Sequence, residues 1–127
     1  MKHSIKILCA LSFALFSCSS TIEIPEDASA KQIIQGGQNE FSAGNYKNAL
    51  KYYNTALERF GDSPEILVEA KYEIGHIYMK QKKYDAAENV FTEISSLYES
   101  NPFGKLPGSY RKLSQLELEK IAEIRAK

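Results

Sequence analysis

Few residues of this 127-residue chain have side chains suited to chemistry. Its two cysteines, Cys9 and Cys18, both lie near the N-terminus, so the rest of the chain has no disulfide framework and no metal site built on cysteine. Only one histidine, His76, lies beyond this region, and a lone histidine on a helix is more often structural or solvated than a base or a metal ligand. HExxH, GxSxG and glycine-rich phosphate-loop patterns are absent. We therefore expect no enzyme activity, no metal and no cofactor.

The N-terminus has the three-part layout of a secretory signal. Lys2, His3 and Lys6 form a basic start, an apolar run covers most of residues 5–16, and small or polar residues follow at 17–20. The apolar run spans about a dozen residues, which is short of the roughly 20 that a permanent membrane-spanning helix needs. We expect this signal to be cleaved.

The end of the signal, Leu15-Phe16-Ser17-Cys18, resembles the lipobox of bacterial lipoproteins. In that family the cysteine thiol takes a diacylglyceryl group before the signal peptidase cuts in front of it. The resemblance therefore implies a signal peptide over residues 1–17 and a lipid anchor at Cys18. The alternative is an ordinary secretory signal that happens to contain a cysteine and is cut elsewhere.

The lipid anchor, if formed, would hold the chain at a membrane. Each buried methylene contributes about 0.8 kcal/mol, so several acyl chains bind a membrane almost irreversibly. Residues 18–30 lack apolar periodicity and are predicted to be the lipidated cysteine and its tether. Ser19 stands where an aspartate retains such lipoproteins at the inner membrane of enteric bacteria, so the resemblance implies an outer-membrane location. We expect the domain to face the periplasm, although the tether length fits either side.

The charge balance argues against nucleic acid as a partner. The chain has 16 basic and 16 acidic residues, and removal of residues 1–17 takes away Lys2 and Lys6, leaving 14 basic residues against 16 acidic ones. Binding to phosphates requires a basic surface. A protein partner is the remaining expectation.

The body of the chain has apolar residues at helical spacing, and no segment alternates like a strand. Gly61 is suited to end a helix, and Ser63 followed by Pro64 is suited to start one. We predict one all-helical domain over residues 31–127, with helices at about 29–42, 46–60, 64–81, 85–98 and 109–126.

Two of the predicted helix pairs repeat each other with a period of 38 residues. Gly37 is echoed by Gly75 and Ala49 by Ala87, and aromatic residues recur at matching places. This spacing resembles the tetratricopeptide repeat, in which small residues let two antiparallel helices approach closely. The resemblance implies two repeats of helical hairpins. The alternative is an unrelated helical bundle whose alanines and aromatics fill a core.

Two repeats bury little surface, so we expect the fifth helix to cap the stack. Leu113, Leu116 and either Leu118 or Ile121 are predicted to face the stack. Charged residues of this helix are predicted to lie in water; these are Arg111, Lys112, Glu117, Glu119 and Lys120.

The first helix of each pair is expected to line a concave partner-binding side, as the repeat resemblance implies. Helical spacing places one stripe of residues on that side in each helix. A stripe that mixes aromatic, apolar and charged side chains suits an extended peptide or a partner helix. The alternative is that Ile34, Phe41 and Met79 are core residues packed against the fifth helix. The predicted stripe comprises Ile34, Gln38, Phe41, Glu69, Tyr72, His76, Met79 and Lys80.

The lipobox is followed by a short tether and by the sequences of residues 44–50 and 60–64. Together these features resemble the outer-membrane assembly lipoprotein family BamD (YfiO type). The resemblance covers about residues 18–100 and implies an accessory subunit of the machine that folds β-barrel proteins into the outer membrane. The partners it implies are a BamA-type barrel protein or unfolded outer-membrane protein segments. That family has five repeats and this chain has two, so a shortened form is the leading interpretation. The alternative is an envelope adaptor similar to CpoB (YbgF).

Overall fold

The computed structural model describes residues 21–101 and 104–127, which form five α-helices and no strand. The helices are α1 (Ala30–Ser42), α2 (Tyr46–Phe60), α3 (Pro64–Lys80), α4 (Tyr84–Ser100) and α5 (Gly108–Arg125). The prediction of an all-helical body is confirmed, with helix bounds close to the expected ones. The predicted signal peptide over 1–17 and the lipidated Cys18 lie outside the described residues.

Local sequence explains where the helices begin. Ser29 caps α1 with a capping box, in which its hydroxyl accepts from the Gln32 backbone N–H at 3.3 Å and the Gln32 side chain accepts from the Ser29 backbone N–H at 2.8 Å. Pro64 occupies the first turn of α3, where its missing N–H costs no helical hydrogen bond.

Each hairpin closes through a glycine that faces an aromatic ring. A Cβ atom at Gly37 would lie 2.7 Å from the ring of Tyr53, and one at Gly75 would lie 2.7 Å from the ring of Phe91. Both rings are fully buried. Only glycine allows so close an approach, so the 38-residue period of the sequence corresponds to the same helix contact made twice.

Matching turns join the two helices of each hairpin. Gly44 in the first turn has φ +78°, and Lys82, which is 38 residues later, has φ +58°. This left-handed conformation suits glycine and is strained for lysine. The turns therefore have the same shape with different sequences.

The core is divided into two clusters that share α3. The first cluster lies between α1, α2 and α3, and its fully buried members include Ile33, Ala49, Tyr53, Ala56 and Ile77. The second lies between α3, α4 and α5, and its buried members include Val68, Ala87, Phe91, Ile94 and Ile121. Since α3 contributes to both, it connects the two halves of the domain.

Helix α5 caps the stack, but with a different face from the predicted one. Ser114, Glu117 and Ile121 are buried, while Leu113 and Leu116 are 37% and 38% exposed. The prediction that these two leucines face the stack, and that Glu117 lies in water, is wrong. The three buried residues are spaced by three and four positions and form one stripe. Ser114 and Glu117 directly follow the two leucines in sequence, so the buried stripe lies on the neighbouring side of the helix.

The other apolar positions of α5 support its capping role. Ile121 is buried as expected, and Leu118 packs against the second cluster. Arg125 pairs with Asp85 and with Glu88, the latter at 2.7 Å, which joins the end of α5 to the start of α4. These contacts fix α5 against α4 at its C-terminal end.

The segment before α1 lies along α2 instead of extending freely into solvent. Ile24 and Ala28 pack against the first cluster. The Arg59 guanidinium donates to the carbonyl oxygens of Pro25 at 2.6 Å and Ile24 at 3.3 Å, and the Lys51 amine donates to the carbonyl of Ile22. Residues 22–28, which the sequence assigns to the tether, are thus attached to the domain.

Candidate functional site

The first helices of the two pairs, α1 and α3, lie beside each other, and α5 continues the row on the other side of α3. We call the surface across these three helices the groove face. The sequence predicts partner contacts here, from a stripe on α1 and a stripe on α3. In the structure the two stripes are adjacent, because α1 and α3 are in contact.

The predicted stripe residues differ in how much surface they offer. Ile34 is only 6% exposed and belongs to the first core cluster, so it does not reach the surface and its assignment to partner contact is corrected. Phe41 and Met79 are half-buried, and each packs against a core cluster. The rest of the stripe keeps exposed or half-buried surface: Gln38, Glu69, Tyr72, His76 and Lys80.

A row of aromatic rings crosses the groove face from α1 to α5. The ring centroids of Phe41 and His76 are 5.2 Å apart, those of His76 and Tyr72 are 6.0 Å apart, and those of Tyr72 and Tyr110 are 5.5 Å apart. Tyr46, at the start of α2, extends the row beyond Phe41 with a centroid distance of 5.7 Å. Tilted rings at these distances attract each other and form a firm apolar surface with polar edges.

Sequence reasoning found three members of this row and missed Tyr46 and Tyr110. Tyr110 lies in the first turn of α5, four residues before the buried Ser114. The available signal was the spacing of Tyr110, Leu118 and Ile121, which marks the buried side of α5. That signal was weaker than the run of leucines on the neighbouring side.

Glutamates lie beside the aromatic row. Burial raises the pKa of the Glu73 carboxyl, and the nearby Glu69 raises it further. Burial also raises the pKa of Glu69, with a further contribution from Glu65. Among the described residues, no lysine or arginine lies within 4.0 Å of Glu69 or Glu73. The sequence analysis singled out Glu69 but missed Glu73.

A third carboxylate, Glu117 of α5, approaches the same face. It is 7% exposed and pairs with Lys120 at 2.6 Å. Its charge raises the pKa of both Tyr72 and His76, and α5 is in contact with α3. Glu117 is paired with Lys120, whereas Glu69 and Glu73 have no lysine or arginine partner among the described residues. The groove face therefore keeps some unpaired carboxylates.

His76 is a predicted site residue whose pKa is shifted by its surroundings. Burial lowers the pKa of its imidazole; Glu117 opposes this effect, while Lys80 and Lys120 lower the pKa further. Its Nδ1 atom lies 4.0 Å from a carboxylate oxygen of Glu73. The imidazole lies between the rings of Phe41 and Tyr72, so it offers a contact surface and a hydrogen-bonding group.

Two tyrosine hydroxyls lie near the same carboxylates. Tyr53 is fully buried, and its hydroxyl has no hydrogen-bond partner among the described residues. Burial raises the pKa of Tyr53, and the charges of Glu73 and Glu69 raise it further. Burial, Glu69 and Glu73 likewise raise the pKa of Tyr110 to about 12. Both hydroxyls are therefore neutral and face a negative environment.

An apolar stripe on α5 borders the groove face. Leu113, Leu116 and Ile124 are the large hydrophobic residues with the most exposure in the part of the chain described by the structure. With Lys120 they follow a spacing of three, four and four residues, so they share one side of the helix. Leu113 follows Tyr110 of the aromatic row by three residues on this helix, so the stripe adjoins the groove face.

Residues 21–101 and 104–127 contain neither a metal-binding cluster nor a membrane-spanning helix. No group of three or more histidine, cysteine, aspartate or glutamate residues in this part is arranged to hold a metal ion. No helix in this part is both long enough and apolar enough to cross a membrane.

Comparison with known proteins identifies the repeat. A family model for the tetratricopeptide repeat matches residues 40–102. The fold is therefore that of tetratricopeptide-repeat helical hairpins, with α5 as a capping helix, as the sequence predicts. Repeats of this type form a non-catalytic scaffold for protein–protein interaction.

A protein of Treponema pallidum (strain Nichols), described as an uncharacterized protein, is 32% identical over 112 residues. The match covers 86% of this chain and 45% of the relative, so the chain spans less than half of that protein's length. No solved structure matches the chain.

Proposed function

We propose that this protein is a lipid-anchored scaffold of the bacterial outer membrane, and that it acts as an accessory subunit of the β-barrel assembly complex. The observation that carries the proposal is the groove face, where an aromatic row continues across α1, α3 and α5. Surfaces rich in tyrosine and other aromatics, with a few polar groups, are typical of the centres of protein interfaces.

The membrane part of the proposal rests on the lipobox that ends at Cys18. Because residues 22–28 are attached to α2, the chain length between Cys18 and Ile22 sets the distance from the domain to the anchor. Four residues span at most about 14 Å, so a lipidated Cys18 would hold this edge of the domain close to the lipid headgroups. The groove face would then present a partner at the membrane surface, on the periplasmic side.

The partner part of the proposal rests on the match between the surface and its candidate ligands. The partners that the BamD resemblance implies are a BamA-type barrel protein or unfolded outer-membrane protein segments. Either partner offers apolar side chains and free backbone groups, which the aromatic row, with its imidazole and hydroxyl groups, is suited to bind.

An envelope adaptor similar to CpoB is the second candidate. Its support is that the family match is to the tetratricopeptide repeat in general, a scaffold used with many partners. The two candidates differ in what accompanies the protein on purification. The first requires a large barrel protein of the outer membrane, and the second requires proteins of the periplasm or of the peptidoglycan layer.

The test is capture of the native lipoprotein in mild detergent through a C-terminal tag, with mass spectrometry of the proteins that come with it. Recovery of a BamA-type protein in near-equal amount is expected. A Tyr72→Ala/His76→Ala variant is expected to lose this partner, whereas a Thr92→Ala/Ser96→Ala variant, altered on exposed positions of α4, is expected to keep it.

Tyr72 also packs against Phe91, so its truncation lowers stability. His76→Ala alone is the matched variant that leaves this contact in place, and thermal unfolding monitored by circular dichroism identifies any loss of fold. Capture that is unchanged in both His76→Ala and the folded double variant contradicts partner binding at the groove face. Absence of a barrel protein, with the bait intact in the membrane, contradicts the assembly role.

A further inference from the structure

Residues 22–28, which we call the strap, close the α1–α2 end of the stack. Ile22 and Ile24 are half-buried, whereas Glu23 between them is exposed. This alternation is typical of an extended segment with one side against a domain. Ile24 and Ala28 pack against the first cluster. The strap therefore covers apolar surface of the first hairpin.

The repeat shows which element the strap replaces. Lys71 of α3 follows Ile33 of α1 by one repeat period. The hollow beside Lys71 is lined by Leu57 of α2, whereas the hollow beside Ile33 is lined by Ile24 and Ala28 of the strap. The strap thus lies where a preceding repeat would place its second helix. It serves as the N-terminal cap that a repeat stack requires.

Two basic side chains of α2 hold the strap by its backbone. The Arg59 guanidinium donates to the carbonyl oxygens of Pro25 at 2.6 Å and Ile24 at 3.3 Å. The Lys51 amine donates to the carbonyl oxygen of Ile22. Hydrogen bonds from charged donors are roughly twice as strong as neutral ones. Both ends of the extended part of the strap are therefore fastened to α2.

The strap also continues into α1 without a free linker. The Ala28 backbone N–H donates to the Pro25 carbonyl oxygen at 3.2 Å, which closes a turn over residues 25–28. The next residue, Ser29, is the N-cap of α1 and is held by its capping box. Movement of the strap relative to the domain therefore requires loss of its contacts with α2.

Helix α5 lies at the opposite end of the stack. It is in contact with α3 and α4, and among the described residues it has no close backbone contact with α1 or α2. Neighbouring helix axes lie about 8–10 Å apart, so α5 is two spacings, or roughly 16–20 Å, from the α1–α2 end. Its exposed leucines, Leu113 and Leu116, are therefore remote from the strap.

We infer that the strap fixes the orientation of the domain on its lipid anchor, with the α1–α2 end at the headgroups and α5 away from them. The inference rests on the proposed function, because it requires the lipid on Cys18. It adds a direction: the groove face, from α1 through α3 to α5, leads outward from the membrane. The exposed leucines of α5 are then presented to a protein partner instead of to lipid.

The first experiment tests whether the strap is docked through these bonds. The full-length lipoprotein in detergent micelles is treated with a glutamate-specific protease, and cleavage after Glu23 and Glu26 is followed by mass spectrometry. We call Lys51→Ala/Arg59→Ala the released variant. We expect its strap to be cleaved about tenfold faster than that of the native chain, since opening no longer breaks charge-assisted hydrogen bonds. Equal rates in the two chains contradict the docking.

Lys71→Ala/Arg125→Ala is the matched control. It removes the same two residue types, and with them the pairing of Lys71 with Glu93 at 2.7 Å and of Arg125 with two carboxylates of α4. We expect strap cleavage in this control to match that of the native chain. An equal increase in both variants contradicts a specific role of the contacts between the strap and α2.

The second experiment measures the orientation. The full-length lipoprotein is reconstituted into liposomes with a headgroup-labelled acceptor lipid, and a fluorescent amino acid replaces the exposed Lys47 of α2 or the exposed Glu119 of α5. We expect energy transfer to place position 47 nearer to the headgroups than position 119 by about 16–20 Å, which is two helix spacings. In the released variant this difference should fall by about half or more, because seven freed residues add up to about 24 Å of chain.

Mass spectrometry of the purified chain separates this inference from the proposed function. A chain without acyl groups overturns the lipid anchor of the proposed function, and the orientation with it. An acylated chain with equal distances at the two positions overturns the orientation alone. A distance difference that the released variant keeps in full overturns the role of the strap in setting it.

Discussion

Replacement of Tyr53 by phenylalanine is predicted to stabilise the protein. The Tyr53 ring is fully buried against Gly37, where it holds α1 and α2 together, and Phe keeps that ring in place. Only the hydroxyl is lost. This hydroxyl has no hydrogen-bond partner among the described residues, so its removal gives up no protein hydrogen bond known from the structure.

The expected gain follows from two opposing terms. A buried hydroxyl without a partner costs about 1–3 kcal/mol, which the substitution removes. The lost oxygen also gives up a few van der Waals contacts of roughly 0.1–0.2 kcal/mol each. The net expectation is a gain of about 1–2 kcal/mol, and for a domain of this size each kcal/mol raises the Tm by roughly 4–8 °C.

The assay is urea and thermal unfolding of the full-length chain, followed by circular dichroism. Tyr98→Phe is the matched control, because the Tyr98 hydroxyl donates to the carbonyl oxygen of Pro107. Its removal is expected to cost about 1 kcal/mol. A Tyr53→Phe variant that is no more stable than the native chain, or that loses stability as Tyr98→Phe does, would refute the unsatisfied hydroxyl.

Three further predictions concern stability. Lys82→Gly is expected to stabilise the protein by about 0.5–1 kcal/mol in urea unfolding, because φ +58° is strained for lysine, whereas Gly44→Ala, in the matching turn, is expected to lose about 1 kcal/mol. Gly75→Ala is expected to cost about 1–3 kcal/mol, because the new Cβ meets the Phe91 ring at 2.7 Å, and Phe91→Leu in the same chain should recover part of this loss in a double-mutant cycle. Glu73→Gln is expected to flatten the pH dependence of stability. The folded-state pKa of Glu73 is raised, so its ionisation destabilises the native chain as pH rises from the ordinary carboxyl range through the folded pKa. The variant should therefore gain stability over the native chain at pH 7 and not at acid pH; unfolding midpoints that differ equally at both would contradict this.

Much of the fold could be predicted because the repeat imposes strict local requirements. Gly37 and Gly75 are required by the rings that pack on them, and their separation gives the period directly. Helix ends were also predictable, since Ser29, Gly61 and Pro64 act through local backbone geometry. These signals depend on neighbours in sequence or on an exact repeat, so one sequence suffices to find them.

The register of α5 could not be predicted in this way. Its leucines favoured one side of the helix, while the structure buries Ser114 and Glu117 on the adjacent side. Burial of polar residues depends on neighbours from other helices, here the region around Tyr72 and His76 on α3. The sequence of α5 alone contains no information about those neighbours.

The candidate site could be predicted only in part, because helical spacing shows which residues share one side of a helix but not which other helices they meet. Helical spacing located the stripe on α3 and the row from Phe41 to Tyr72, but it also placed the buried Ile34 on the surface. Tyr110 was missed because it joins the groove face only once α3 and α5 pack together. Glu73 lies on α3 three residues before His76, so the spacing argument could have included it. Docking of residues 22–28 on α2 was missed because it rests on backbone carbonyls, which any sequence provides.

The central claim is that the groove face holds the partner, and site-specific photocrosslinking in living cells tests it most directly. Benzoylphenylalanine would be placed at Leu113, which is 37% exposed beside the groove face, and separately at Thr92, which is exposed on α4. We predict that the Leu113 position crosslinks to an outer-membrane barrel protein and that the Thr92 position does not. Crosslinks to that protein from Thr92 alone, or from neither position while the protein is present in the membrane, would contradict the claim.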